Sequence, residues 1–312
     1  MKHSNPTVLK EDLKTGFRYA VKNIISFILG MIGVLIVTGI MMLLVAILIF
    51  IPLILLVGIP GLSQFFQAFG AIMEQSFNPA AISLIVLLVI PFISPVFVAV
   101  GALFGMAREI VESEGTSVQG VFTWYRSRFL PLAAAGIIMF GIIFGPIGLL
   151  FGIGWITLGN TIIGLPSAII VAVSTAWIMI SLGLTSMIFP GIIDGLPVLE
   201  AVKNSFELGT KYFDRVFSTI LSYIGIIGIM TSPTVLIPFS MVDSLPNTMP
   251  GPIVGIMAGL GIFTFVGFFV ILFVVIPALA ISTTKVYMIL TSNGISEPEG
   301  NDDFDVSIVG GV

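Results

Sequence analysis

The sequence predicts an all-α integral membrane protein with six transmembrane helices, arranged as three like-oriented repeats of one amphipathic surface helix plus two spans. Three observations lead there. Of 312 residues only 12 are Lys or Arg and 16 are Asp or Glu, so 9% are charged, against roughly 25% in an ordinary soluble chain. The chain is 57% hydrophobic with a mean hydropathy of +1.18, which leaves too little polar surface to keep such a mass in water. Finally, the apolar residues fall in runs long enough to cross a bilayer, and similar short amphipathic stretches recur at the entries to these runs.

The elements follow in order. The first 23 residues are polar and charged, and the apolar run behind them is too long for a signal h-region, so no cleavable leader is expected. Asn5-Pro6 suits an N-cap followed by proline at the first helical position. Leu9, Leu13, Phe17 and Ala20/Val21 then share one face, with Lys10, Lys14, Arg18 and Lys22 around the rest. That pattern predicts a helix lying on a membrane surface with its apolar face toward the acyl chains. Spans are expected over about 24–57, 81–107, 130–157, 162–188, 216–240 and 253–284. The first, at about 34 residues, would measure about 51 Å as a straight helix against a hydrocarbon core of about 30 Å, so it must tilt, bend near Pro52 or protrude. Beyond it, Phe65, Phe66, Phe69, Met73 and Phe77 suggest an interfacial helix dipping into the outer leaflet. Residues 295–312 form an acidic tail with the composition of a disordered segment, and 1–294 a single membrane domain.

Charge gives the orientation. With six spans, every one of the 12 basic residues falls on the same side, and the loops near 58–80, 158–161 and 241–252 hold none. The positive-inside rule then makes both termini cytoplasmic in a multi-pass protein of the cell membrane. The cytoplasmic face near the bilayer is mildly basic, which favours anionic lipid headgroups.

The repeat rests on three stretches: Leu13 to Ile24, Val118 to Phe129 and Ala201 to Phe213. Each carries an aromatic in its middle and a basic residue at the membrane entry. The units run near 7–115, 116–196 and 197–294, and because two spans return the chain to the same side they share orientation, giving a pseudo-threefold axis along the membrane normal. The exits of the even-numbered spans match less well: Phe189-Pro190-Gly191 aligns either with Ile90-Pro91 and Ile276-Pro277 or with Ile110-Val111-Glu112. General constraints on membrane-surface linkers are the competing explanation.

Asp194-Gly195-Leu196-Pro197 leading into Ala201 to Leu208, together with Gly120 to Trp124 and Phe129-Leu130-Pro131-Leu132, resembles an uncharacterised group of archaeal integral membrane proteins. These are similar to the membrane domain attached to some glycerophosphodiester phosphodiesterases. The resemblance covers most of residues 10–290 through short, degenerate motifs, and it implies a six-helix membrane module with a link to lipids. It does not carry over the hydrolase, which needs a separate soluble barrel with metal-binding carboxylates.

The candidate residues are few. Cys is absent and the one His is His3, which removes disulfides, zinc and haem sites and Ser-His-Asp or Cys-His centres. No ionisable residue falls inside an expected span, against proton-coupled carriers and intramembrane metalloenzymes. No catalytic residue, metal site or cofactor is therefore expected. Lys22, Arg128 and Lys211 stand at headgroup height as lipid contacts. Ser167, Ser174 and Ser181, at seven-residue spacing with Thr185, draw a polar stripe along span 4, read as helix packing or as a solute path. Gly141, Gly145, Gly148 and Gly152, then Gly255 and Gly259, suit close helix contact, within the chain or between copies. Glu109, Glu112 and Glu114 read as a solvated helix end or a divalent-cation site. The expected function is a non-enzymatic scaffold or lipid-engaging module, with a permease or channel for an uncharged or amphiphilic solute as the alternative. An interfacial lipid enzyme would have to use Asp194 or the Glu109 cluster. The expected partners are the bilayer, anionic lipids, and a membrane protein or second copy; nothing points to nucleic acid.

Overall fold

A computed structural model describes residues 5–74, 79–158, 165–235 and 251–292, which are helical apart from short connections and contain no strand. In chain order the helices are α1 (Pro6–Lys22), α2 (Ile24–Glu74), α3 (Pro79–Ser113), α4 (Val118–Ser127), α5 (Phe129–Leu158), α6 (Leu165–Thr185), α7 (Ile188–Ile193), α8 (Val198–Lys211), α9 (Phe213–Val235), α10 (Gly251–Val270) and α11 (Ile276–Thr291). A π-helical turn, Ile271–Val275, joins the last two. Among the described residues six stretches are long and apolar enough to cross a membrane: Ile24–Gln64, Phe92–Ser113, Phe129–Phe151, Ala168–Ile193, Phe213–Ser232 and Gly261–Thr291. This is a multi-pass membrane protein.

The over-long first span is resolved at Gly58 rather than Pro52. There φ is 70° and ψ 170°, a backbone that a residue without a Cβ adopts at little cost. The arm beyond it turns back, bringing the Phe66 ring to 6.0 Å from that of Phe50. Phe65, Phe69 and Met73 belong to that arm, at positions whose side chains are not described, and Phe77 lies outside the described residues.

Three short helices each end on one non-helical residue before the next helix starts. These are Asn23 (φ −107°, ψ 20°), Arg128 (φ −117°, ψ 20°) and Tyr212 (φ −119°, ψ 42°). The short helices pack on the ends of long ones: α1 on α11, α4 on α3, and α8 on α6 and α7. The long helices pair in chain order, α2 with α3, α5 with α6 and α9 with α10, while α3, α7 and α11 meet one another.

The buried face of α1 is Val8, Asp12, Gly16 and Ala20, which corrects the expected face of Leu9, Leu13, Phe17 and Ala20/Val21 by about one residue. The reason is close approach. A Cβ on Gly16 would stand 2.7 Å from the Ala278 carbonyl oxygen, so α1 can lie on α11 only along its stripe of small residues. Aromatics of α1 and α4 turn inward too, not toward acyl chains. The Phe17 ring lies 5.6 Å from Tyr223, Phe122 fills the space beside Gly33, Trp124 lies on Gly105, and Tyr125 is buried. Here glycines on neighbouring helices open the holes that aromatic rings fill.

The core lies at the end of the bundle that carries the charged residues. Phe27, Met106, Ile110, Val121, Leu132, Ile188, Ile192 and Ile281 are fully buried there. The opposite half exposes large apolar side chains such as Leu48, Leu55, Leu149 and Ile229. Gly141, Gly145, Gly148 and Gly259 belong to exposed surfaces, and a Cβ at any of them would meet nothing within 4 Å. Close contact within the chain falls instead to Gly101 against Leu132, Gly136 against Phe97, and Gly209, where a Cβ would stand 3.2 Å from Leu184 Cα. The surroundings of Gly152 and Gly255 are not described.

Candidate functional site

Two polar clusters occupy the charged end. The first is enclosed. Asp12 on α1 and Arg215 at the start of α9 are 1% and 2% exposed. The guanidinium grips the carboxylate with Nε 3.1 Å from Oδ2 and Nη2 3.3 Å from Oδ1. Lys285 of α11 reaches the same carboxylate at 3.4 Å and donates to Thr15 Oγ1 at 3.2 Å. Ser282 donates to the Asp12 carbonyl oxygen at 2.8 Å, so its single proton is used, and Tyr223 must supply the hydrogen in their 2.8 Å contact. The cluster ties α1 to α9 across 203 residues of sequence and to α11 across 270.

The sequence gives a faint signal for it. Asp12 lies four residues from both Val8 and Gly16, a lone carboxylate on a stripe of small and apolar residues. Reading α1 by its largest side chains puts Asp12 on the solvent face and hides the cluster. The expectation that no ionisable residue falls inside a span is corrected: Arg215 lies within Phe213–Ser232 and Lys285 within Gly261–Thr291, each paired with Asp12. At the charged end, paired groups enter the protein interior because the two arms of the guanidinium match the two carboxylate oxygens.

The second cluster lies where α3, α7 and α11 converge. The α7 helix ends in a Schellman turn: Leu196 N–H donates to the Gly191 carbonyl and Gly195 N–H to that of Ile192, both at 3.0 Å, with Gly195 at φ 103°. The turn presents Asp194 to Arg108 Nη1 at 2.6 Å, and Tyr287 donates to the other carboxylate oxygen at 3.4 Å. Arg108 Nε donates to Glu112 at 2.8 Å. Residues from the exits of spans two and four thus share one ion-pair network, to which Tyr287 of span six adds a hydrogen bond.

Glu109, Glu112 and Glu114 point to different partners. Glu109 accepts from Trp124 Nε1 at 2.8 Å and Thr116 at 2.7 Å. Glu114 accepts from Lys22 at 2.8 Å and Tyr19 at 3.3 Å. Lys22 holds the Glu114 carboxyl below its usual range. Burial, then the charge of Glu114, pushes the Tyr19 phenol up. Among the described residues no three His, Cys, Asp or Glu side chains gather as a metal site.

The three expected headgroup contacts differ from one another. Lys22 is half exposed and paired with Glu114. The Arg128 guanidinium is half buried beside Gly195. Lys211 is exposed, 5.5 Å from the centre of the Tyr212 ring. In the span-4 stripe Ser174, Ser181 and Thr185 are buried. Ser181 and Thr185 return their hydrogen bonds to their own helix, at 3.1 and 2.7 Å, while Ser174 Oγ has no partner. The side chain of Ser167 is not described. Family models, curated proteins and solved structures contain no match to this chain.

Proposed function

We propose that the protein is a non-enzymatic polytopic membrane module that engages anionic lipid and scaffolds its surroundings. One observation carries this reading. Asp12 is turned on Arg215 and Lys285, and Arg108 on Asp194 and Glu112, so these groups brace helices instead of addressing a reacting group. The architecture in this reading is three units of like orientation, each a short helix and two spans. Its support is cyclic. Each short helix packs on the second span of the preceding unit, with α1 closing the ring on α11, and all three enter their next helix through similar non-helical residues. By the positive-inside rule both termini face the cytoplasm.

Lipid engagement is tested by replacing Lys22, Arg128 and Lys211 together with Gln. Each contributes on the order of 1 kcal/mol toward an anionic surface. The triple variant should therefore retain markedly less phosphatidylglycerol in native mass spectrometry at unchanged helical content, and equal retention refutes the reading. The unpartnered Ser174 Oγ, with Thr38 and Thr283 likewise buried without hydrogen-bond partners, favours a second reading as a permease for an uncharged solute. Solute flux into proteoliposomes that falls on Ser174→Val would put that reading first.

A further inference from the structure

Three junctions join the second helix of one pair to the first helix of the next, and they are not alike. Between α3 and α5, Leu132 enters the space beside Gly101 and Phe97 that beside Gly136. Between α6 and α9, the Phe217 ring comes within 3.3 Å of a Cβ built on Gly183. Both seams are closed by a large side chain set against a glycine. Among the described residues the third seam, where α2 meets the last helix at the π-turn, has no such closure. Gly267 of α10 is directed to the Met230 carbonyl of α9 instead. A groove of about 280 Å³ remains, walled by Ile24 and Ile28 on one side and by Phe265, Val266, Phe269 and Phe273 on the other.

The chemistry and place of this groove point to its occupant. Its aromatic wall is a ladder along one helix face, Phe265 to Phe269 at 4.8 Å and Phe269 to Phe273 at 5.9 Å. Phe273 lies in the π-turn, a widened turn of the kind that recurs at functional sites. All the lining residues are apolar and belong to helices long enough to span the membrane, so the surrounding medium is hydrocarbon. Beyond the groove both walls continue as exposed apolar surface, through Ile32, Leu35 and Ile36 on α2 and Ile262 on α10. At its other end the groove begins at Ile24, next to the junction residue Asn23 and two residues from Lys22, the basic entry to the span. A groove that is open and apolar and lies within the spanning segments, with one end two residues from Lys22, suits a flexible chain whose headgroup stays at the charged end.

We propose that the seam between α2 and α10 binds one acyl chain of a lipid from the leaflet at the charged end. This rests on the lipid-engaging reading, but it assigns the affinity to the chain, whereas Lys22, Arg128 and Lys211 act on the headgroup.

The test uses the full chain in nanodiscs of equal phosphatidylglycerol and phosphatidylcholine, with retained lipid counted by native mass spectrometry. Val266→Trp should fill the groove from a position that is 53% exposed, and retention of both lipids should fall severalfold, because the chain loses its packing contacts with the wall. Ile28→Phe, filling the groove from the opposite wall, should act in the same direction if Val266→Trp loses helical content. Leu149→Trp, on an exposed face of α5, should leave retention unchanged. The headgroup reading fails if the Lys22, Arg128 and Lys211 triple variant binds lipid normally; the groove proposal fails if both filling variants do. Retention falling equally in Leu149→Trp, or a mass of two chains that the filling variants reduce to one, would also overturn the groove proposal, the latter in favour of a second copy seated there.

Discussion

The two ends of the bundle are built on different rules. At the charged end short helices fit glycine to aromatic and carboxylate to guanidinium, and the fully buried large side chains such as Phe27, Met106, Ile110 and Ile192 gather there. At the far end the same long helices carry Leu, Ile and Phe on their outer faces, with Leu55 81% exposed, and their glycines face outward. In water that far end would collapse or aggregate. In a bilayer lipid is as apolar as leucine and offers no hydrophobic gain for further burial. The contrast teaches that this protein concentrates its tertiary specificity where water and charge are near, and leaves the remainder to lipid.

The largest expected effect tests the enclosed ion cluster. Arg215→Met leaves the Asp12 carboxylate buried with its guanidinium gone and should lower unfolding stability in detergent by about 3–5 kcal/mol. Adding Asp12→Asn should restore part of that loss, since the charge left behind is removed. A stability unchanged in the single variant would place the pair in solvent and erase the contrast between the ends.

Glycines sharpen it at the next level. Gly16→Val must push α1 off α11 and should cost about 1–3 kcal/mol. Gly141→Val, where a Cβ would meet nothing within 4 Å, should stay within about 0.5 kcal/mol apart from the helix-propensity change. Paired thermal denaturation of the two variants measures the difference directly.

Smaller still is the second cluster. Asp194 is 41% exposed on its side chain, so solvent screens its pair with Arg108, and Asp194→Asn should cost no more than about 1 kcal/mol by the same denaturation assay.

The smallest effect is a pH dependence. Lys22 lowers the Glu114 pKa in the folded state, so this tie contributes fully above the unfolded carboxylate value of about 4.3 and is lost as pH falls from there through the folded value. Hydrogen exchange of α1 should rise over that acid window in the parent and show no such dependence in Lys22→Gln.

How much was legible depends on whether the signal is local. The spans, the charged end and the short helices before Ile24, Phe129 and Phe213 follow from hydropathy and charge summed along the chain, and those sums need no partner. The turn at Gly58 is half legible: length demands relief, but Pro52 advertises a bend that the glycine makes. The seam of α1 on α11 is invisible in this way, because Gly16 and Ala20 score as weak hydrophobes and become decisive only when another helix stands against them. The same holds for GxxxG spacing in α5, which permits a close contact without supplying a neighbour.

The sequence by itself determined a six-span membrane protein with its basic residues at one end, because the cost of placing charge or unpaired backbone in hydrocarbon acts on each segment separately. Tertiary structure alone decided that Asp12 meets Arg215 and Lys285, that Arg108 meets Asp194, and that one seam among three stays open. Those outcomes depend on shape and on pairing between distant residues. A guanidinium is stable in the interior only with its carboxylate opposite, and no local property of either residue says which partner it will find.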